Sequence, residues 1–240
     1  MTERLAQLWD RFEASDILLV EWETNLLARL GYPLVSHGDL FFLVPDLQLP
    51  TACDIAASLG LCLADENALR PAYTSELSGV GVRYLVDDDS NNFPLRRRLG
   101  LLPLSWTGIA VDELVPISSP TNSIPWPSFP VRTVPLPVAC ATFVRMAARE
   151  RRGSSFRMGI IGELANVIAY SLFDMTYEGD HMEFLPDDQP LSDKEKLEME
   201  NAVGQINTWV FRDDEEWIRL ALVQVVTGKA SYDDLPSNPK

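Results

Sequence analysis

The chain has 240 residues, of which 46% are hydrophobic and 23% charged, and this composition excludes disorder, collagen and coiled coil as descriptions of the whole chain. At roughly 150 residues per domain, the length predicts one large domain or one domain with a smaller annex. Thirty-five acidic and twenty basic residues give a formal net charge of −15. Such a molecule repels nucleic-acid phosphate, so nucleic acid is not an expected partner.

The cysteine pattern and the start of the chain predict a cytoplasmic protein. Cys53, Cys62 and Cys140 form no C-x-x-C pair, which argues against a disulfide scaffold and against a structural zinc site. The first ten residues are charged and lack the apolar stretch of a signal peptide. No apolar run reaches the ~18–20 residues that a membrane span needs, so a membrane is not an expected partner.

The amino-terminal half alternates apolar runs with turn signals. Apolar residues that recur at intervals of three and four before Gly31 predict a helix. The apolar run Leu40–Val44 is flanked by turn residues, as in a strand buried on both faces, and Asp46 is expected to cap the next helix. In chain order, the predicted elements are a helix over residues 16–30, a strand over 32–35, a strand over 40–44, a helix over 48–59, a strand over 80–86, and strands over 99–106 and 108–111.

The carboxy-terminal half is predicted to be helical. Seven prolines between residues 116 and 137 predict an extended connection, because proline lacks the backbone N–H that a helix needs. Beyond it, Ser192 and Glu195 form a capping box, and the tail from Lys229 is expected to fray. The predicted helices cover residues 138–151, 156–173, 192–211, and a last stretch that ends near residue 226.

This order of elements predicts an α+β fold, a small mixed sheet with flanking helices and a carboxy-terminal helical subdomain. The expected division is an α/β core over residues 1–135, a helical subdomain over 136–228 and a flexible tail over 229–240.

The stretch from Tyr32 to Leu61 carries a family resemblance. A strand that ends in Leu43-Val44-Pro45-Asp46, followed by a helix with Ala56-Ala57, resembles the first strand–helix unit of the nucleotidyltransferase-like superfamily. These are the polymerase-beta-type proteins, which include antitoxin-partnered members. The segment Val134-Pro135-Leu136-Pro137 before an Ala- and Arg-rich helix is similar to that family too. The chain also resembles uncharacterised fungal proteins of this fold, over about residues 15–175.

The resemblance implies where a metal site would lie. In this superfamily the strand carries Asp-x-Asp, whose carboxylates at i and i+2 point to one side and share Mg²⁺. Asp39 falls at the first position, and Phe41, which cannot ligate a metal, falls at the second. Asp112 is the candidate for the family's third acid. The resemblance therefore implies a degenerate site with no resident cofactor, and Mg²⁺ only if nucleotidyl transfer survives.

Two further kinds of residue are candidates for the cleft. His181 lies in the acid-rich stretch 177–184 and is a candidate catalytic residue together with Asp39 and Asp112. The alternative for this stretch is a solvated acidic loop between helices. Phe41 and Trp106 are candidate ligand contacts.

Three arginines are candidate ligand-binding residues. Arg145, Arg149 and Arg152 fall on one face of a predicted helix, at spacings of four and three. Such a face suits a phosphate group. The alternative is pairing with the acidic carboxy-terminal helices, since residues 174–240 hold sixteen acidic and six basic side chains. The sequence leaves both interpretations open.

These features favour a nucleotidyltransferase-fold protein with a degenerate metal site, acting as a catalytically inactive binding or regulatory module. The alternative is a small-molecule tailoring enzyme of secondary metabolism, such as a cyclase or isomerase, that uses the same cleft. A third hypothesis is a protein-binding surface on the acidic carboxy-terminal helices. The expected partner is a small molecule, a nucleotide or a protein, and whether the chain is an enzyme stays open.

Overall fold

The computed structural model describes residues 2–33, 38–64, 73–86, 97–117, 126–175 and 192–238, and a mixed sheet of seven strands forms the centre of this part of the chain. The strands are β1 (Val20–Glu21), β2 (Leu40–Val44), β3 (Cys62–Leu63), β4 (Val82–Leu85), β5 (Arg98–Pro103), β6 (Val115–Pro116) and β7 (Arg132–Thr133). Their order across the sheet is β3-β4-β5-β2-β1-β7-β6. With helices packed on this sheet, the predicted α+β class is confirmed.

The middle strand is β2, as its apolar run predicts. It pairs in parallel with β5 along its whole length and antiparallel with β1. All five of its residues are buried. Because side chains alternate along a strand, Phe41 and Leu43 belong to the core on one face, and Leu40, Phe42 and Val44 to the core on the other.

Helices cover both faces of the sheet. In the described residues they are α1 (Thr2–Ala14), α2 (Thr24–Arg29), α3 (Leu49–Ser58), α4 (Thr74–Ser78), α5 (Leu104–Thr107), α6 (Leu136–Arg149), α7 (Ser155–Leu172), α8 (Asp193–Thr208) and α9 (Glu216–Val226). The core on the Phe42 side includes residues of α1 and α3, and the core on the Phe41 side includes residues of α6, α7, α8 and α9. None of these helices is both long enough and apolar enough to cross a membrane.

The helices of the carboxy-terminal half follow the sequence closely. The bounds of α6, α7, α8 and α9 lie within a few residues of the predicted ones. At the start of α8, the Ser192 hydroxyl accepts from the Glu195 N–H at 3.2 Å. The Glu195 carboxylate accepts in turn from the Ser192 N–H at 2.6 Å, so the predicted capping box is confirmed.

The predicted helix over residues 16–30 is wrong in its first half. Asp16 turns the chain with a φ of 52° after α1 has ended. Val20–Glu21 form β1, which pairs with β2, and α2 begins only at Thr24. Burial against the sheet outweighs the helical periodicity of this stretch, since tertiary packing overrides weak local propensity.

Smaller predictions also differ from the structure. Asp46 does not cap α3, because its two carboxylate oxygens accept from the backbone N–H and the hydroxyl of Ser105, at 3.0 and 2.5 Å. This contact ties the end of β2 to α5. Residues 108–111 do not form a strand, because Gly108 ends α5 with a φ of 74° and a 3₁₀ turn follows at Val111–Glu113.

The segment after α9, expected to fray, packs against the molecule. The guanidinium of Arg157 donates to the backbone oxygens of Leu235 and Pro236 at 2.8 and 2.9 Å. Leu235 is buried in the core, and the Asn238 N–H donates to the Glu150 oxygen at 2.9 Å. One buried arginine of α7 therefore holds this segment in place.

The core on the Phe41 side continues across the division expected near residue 135. Phe41 of the sheet, Phe143 of α6, Ile160 of α7 and Leu222 of α9 belong to one buried cluster. The carboxy-terminal helices therefore share their core with the sheet.

Candidate functional site

Asp39 lies at the start of β2, and both of its carboxylate oxygens are engaged. The Tyr73 hydroxyl donates to Oδ2, and the Arg98 backbone N–H donates to Oδ1 at 2.7 Å. The residue is only 5% exposed. Its carboxylate thus joins the start of β2 to the start of β5 and to the residue before α4.

Phe41, two residues further, stands in a closed apolar site. Its side chain is fully buried, and its ring centre lies 4.6 Å from that of Tyr73. On β5 the facing residue is Gly100, and a Cβ there would lie 2.3 Å from Cδ1 of Phe41. The ring therefore fills the space that the glycine leaves on the neighbouring strand.

Arg98 contacts both Tyr73 and Glu76 beside this apolar site. Its Nη1 pairs with Glu76 Oε1 at 2.7 Å, and its guanidinium carbon lies 5.6 Å from the centre of the Tyr73 ring, within the range of a cation–π contact. Burial, and then the Asp39 carboxylate, raise the pKa of the Tyr73 hydroxyl. The hydroxyl therefore stays protonated and remains the donor to Asp39.

Asp112 does not come near Asp39. Because β2 and β5 are parallel, Asp39 precedes the first residue pair of these strands and Asp112 follows the last one. Asp112 is exposed on its 3₁₀ turn, and the next residue, Glu113, bonds to Arg145 near the end of α6. The two acids flank opposite ends of a strand pair that is roughly 16 Å long.

The described residues do not fit the magnesium site that the resemblance implies. Mg²⁺ binds through carboxylate oxygens and retains several waters, whereas Asp39 has both oxygens engaged and Phe41 presents an apolar ring. No group of three His, Cys, Asp or Glu side chains in the described part of the chain is placed to hold a metal ion. A magnesium-dependent step through Asp39 is therefore not supported.

Two carboxylates that the sequence analysis did not single out, those of Glu23 and Glu163, are bound by the two residues that follow Tyr73 in the chain. Glu23 lies between β1 and α2 with φ 48° and ψ −121°, a conformation that residues other than glycine avoid. Its Oε1 accepts from the Ser75 N–H at 2.6 Å. Glu163 of α7 accepts from the Thr74 hydroxyl. Two consecutive residues at the start of α4 therefore hold carboxylates from two distant elements.

This pair of acids keeps a proton near neutral pH. Oε2 of Glu23 and Oε2 of Glu163 are both buried, with no hydrogen-bond partner among the described residues. Burial raises the pKa of Glu163 to about 7. Burial, and then the charge of Glu163, raise the pKa of Glu23 well above its ordinary value. The pair can therefore donate or accept a proton at physiological pH.

The sequence contained a signal for one of these two acids. The eighteen residues of α7 include only two charged side chains, Arg157 and Glu163, and a helix that is apolar all round is buried. Charged groups in such a helix need partners in the interior. Glu23 carries no comparable signal, because its local sequence does not indicate the backbone turn.

Trp106 belongs to an aromatic cluster of the core. Its ring centre lies 6.3 Å from that of Trp22 and 5.7 Å from that of Phe156. Its backbone oxygen accepts from Arg149 Nη2 at 2.6 Å. The structure therefore places Trp106 and Arg149, two of the candidate ligand contacts, in contact with each other.

Arg145 forms ion pairs with acidic side chains of the same chain. It pairs with Glu215 at 2.6 Å and with Glu113 at 3.1 Å, and Arg212 also pairs with Glu113, at 2.5 Å. Although burial opposes it, the hydrogen bond from Arg212 and the charge of Arg145 hold the pKa of Glu113 below its ordinary value. Arg145 thus pairs with the acidic carboxy-terminal part, as the second interpretation of the arginine face expects.

Arg152 does not join these groups. Arg152 is exposed and lies 3.9 Å from Asp234, so the three arginines do not form one open cationic face. His181 and the stretch 177–184 lie outside the described residues.

No protein-family model matches this chain, and no curated protein matches it. The resemblance to the nucleotidyltransferase-like superfamily therefore stays a prediction from the sequence pattern.

Proposed function

We propose that this chain is a binding or regulatory module of nucleotidyltransferase-like type that does not catalyse magnesium-dependent nucleotidyl transfer. One observation carries the proposal: both oxygens of Asp39 accept hydrogen bonds within the chain, from Tyr73 and from Arg98. At the i+2 position, where the second acid would stand, Phe41 packs under the same tyrosine. A divalent ion would have to break these bonds and would gain no second carboxylate.

Pyrophosphate release tests this proposal. The full chain is incubated with Mg²⁺ and each of the four ribonucleoside triphosphates, with and without the chelator EDTA. We expect no metal-dependent pyrophosphate above the rate without protein. Metal-dependent release that disappears in a folded Asp39→Asn variant would overturn the proposal.

A second candidate function is acid–base catalysis by Glu23 and Glu163, in line with the tailoring-enzyme alternative. Two carboxylates with raised pKa and a strained backbone at one of them are features that active sites share. Each acid also has one carboxylate oxygen with no hydrogen-bond partner in the described structure. An isomerisation needs such a group to remove a proton from a substrate carbon and to return it at another.

Chemical labelling separates the two candidates, because a catalytic acid must be reached by a small molecule. The folded chain is treated with a water-soluble carbodiimide and an amine, and the labelled peptides are identified by mass spectrometry. Labelling of Glu23 or Glu163 as fast as that of the exposed Asp112 favours the enzyme. Protection of both acids until the chain unfolds favours the binding module.

The proposed module acts in the cytoplasm. Cys53, Cys62 and Cys140 are free thiols in the structure, which suits a reducing compartment. Its partner is a small molecule, a nucleotide or a protein.

A further inference from the structure

A cavity of about 490 Å³ lies between α7, α8 and α9, apart from the region of Asp39. This volume is within the usual range for small-molecule sites. Residues of two helices form its apolar floor: Ala165, Ile168 and Ala169 of α7, and Val225 and Val226 of α9. Ile168 and Val225 are also buried members of the core, so this floor belongs to the packed interior.

The rim of the cavity is acidic. Asp174, Glu195 and Glu198 line it, and none of its described lining residues is basic. The net charge of the described residues in this part of the chain has the same sign, since residues 174–175 and 192–238 hold eleven acidic and five basic side chains. An apolar cavity with an acidic rim favours ligands that combine an apolar body with a positive charge.

The chain itself places a primary ammonium at this rim. Lys194 Nζ lies 3.5 Å from the Asp174 carboxylate and 3.7 Å from that of Glu198. The lysine side chain is 71% exposed, so these ion pairs are weak and a competing cation can replace them. The position of Nζ shows where a ligand ammonium would find two carboxylates.

We propose that this cavity binds an alkylammonium ligand, with the alkyl chain on the floor of α7 and α9 and the ammonium in the place of the Lys194 Nζ. Two methionines, Met175 and Met199, line the cavity, and their flexible side chains adapt to alkyl chains of different shape. The inference rests on the binding half of the proposed function and gives it a ligand class. It does not depend on whether Asp39 has lost its metal.

Calorimetric titration with three probes of equal chain length tests the ligand class. Octylammonium, 1-octanol and octanoate are each titrated into the full chain at neutral pH. We expect octylammonium to bind most tightly and octanoate at least about tenfold more weakly, because the acidic rim repels its carboxylate. Equal binding of octylammonium and octanoate, or no binding of octylammonium, overturns the inference.

Variants locate the binding at this cavity. Glu198→Gln should weaken octylammonium about threefold and leave octanol unchanged, whereas Lys194→Met should strengthen octylammonium by a similar factor. Lys196→Met is the matched control, because Lys196 stands on the same helix but pairs with Asp193. Ala169→Trp should fill the cavity and abolish binding of both octylammonium and octanol. If Lys196→Met acts as strongly as Lys194→Met, the site is assigned wrongly.

Failure of these titrations is distinguishable from failure of the proposed function. The absence of octylammonium binding would disprove the ligand class and the assignment of this cavity as its site. Metal-dependent pyrophosphate release would disprove the proposed function, whatever the cavity binds.

Discussion

Carboxylates lie at both ends of the β2–β5 pair, but their partners differ in charge. The near end is the one at Asp39, and the far end is the one at Glu113. At the far end, Glu113 and Glu215 share the guanidinium groups of Arg145 and Arg212. At the near end, Glu23 and Glu163 are held only by the neutral donors of Ser75 and Thr74 in the bonds that the structure shows. The pKa of Glu113 is consequently lowered and that of Glu163 is raised.

This difference shows what burial does to an acid. Removal from water favours the neutral form of an acid, and at the far end the cationic partners reverse that preference. The far end therefore contains paired charges that stabilise the fold, whereas the near end contains two acids whose pKa values are raised. Arg98, the arginine of β5, pairs with Glu76 and with the Tyr73 ring.

The largest effect is expected from breaking the paired end. Arg145→Met leaves the buried Glu215 and the half-buried Glu113 with Arg212 as their remaining cationic partner, and we expect a loss of about 3 kcal/mol in the free energy of unfolding at neutral pH. Urea denaturation measures it. Arg152→Met is the control, because its 3.9 Å contact with Asp234 is exposed and should contribute less than about 0.5 kcal/mol. Similar losses in both variants would contradict this account.

The next effect concerns the unpaired end and its dependence on pH. The pKa of Glu163 is raised in the folded state from 4.5 to about 7, so the folded chain binds the proton more tightly than the unfolded chain. The stability of the wild-type chain should therefore fall as pH rises from 4.5 through about 7. Glu163→Gln should remove the part of this fall that Glu163 contributes and stabilise the chain by about 3 kcal/mol at pH ~8, with little change at pH ~4.

Glu113→Gln is the matched control at the paired end, and its expected sign is opposite. The pKa of Glu113 is lowered in the folded state, so its contribution is present above the unfolded pKa and is lost as pH falls through the folded pKa. The substitution should therefore destabilise the chain at neutral pH and have little effect in strong acid. Denaturation curves of both variants at several pH values decide the point. A Glu163→Gln chain that is less stable than wild type at pH ~8 would refute the assignment.

A smaller effect is expected at Phe41, the position where the resemblance implies a second acid. Gly100→Ala brings a Cβ to 2.3 Å from the Phe41 ring and should cost about 2 kcal/mol. Phe41→Leu in the same chain should recover part of that loss. Gly204→Ala is the matched control: nothing lies within 4 Å of its Cβ, and in the interior of α8 it should stabilise the chain by up to about 1 kcal/mol. Equal destabilisation by both alanines would argue against close packing at Phe41.

The sequence predicted the elements whose signals are local. The apolar run of β2 and the capping box of Ser192 with Glu195 each need only a few neighbouring residues. Glu23 and Glu163 could not be paired from sequence, because they meet through Thr74 and Ser75, which lie 89 and 52 residues away from Glu163 and Glu23 along the chain. Asp46 illustrates the same limit, since its partner is Ser105 and not the helix that it precedes.

Carbon-13 NMR titration of the Glu23 and Glu163 side-chain carboxyls, with and without excess Mg²⁺, tests the central claim most directly. We expect Glu163 to titrate near pH 7, with the same midpoint whether or not Mg²⁺ is present. A midpoint near pH 4.5, or one that Mg²⁺ lowers, would show that this end of β2 holds a charged or metal-binding site and would contradict the account.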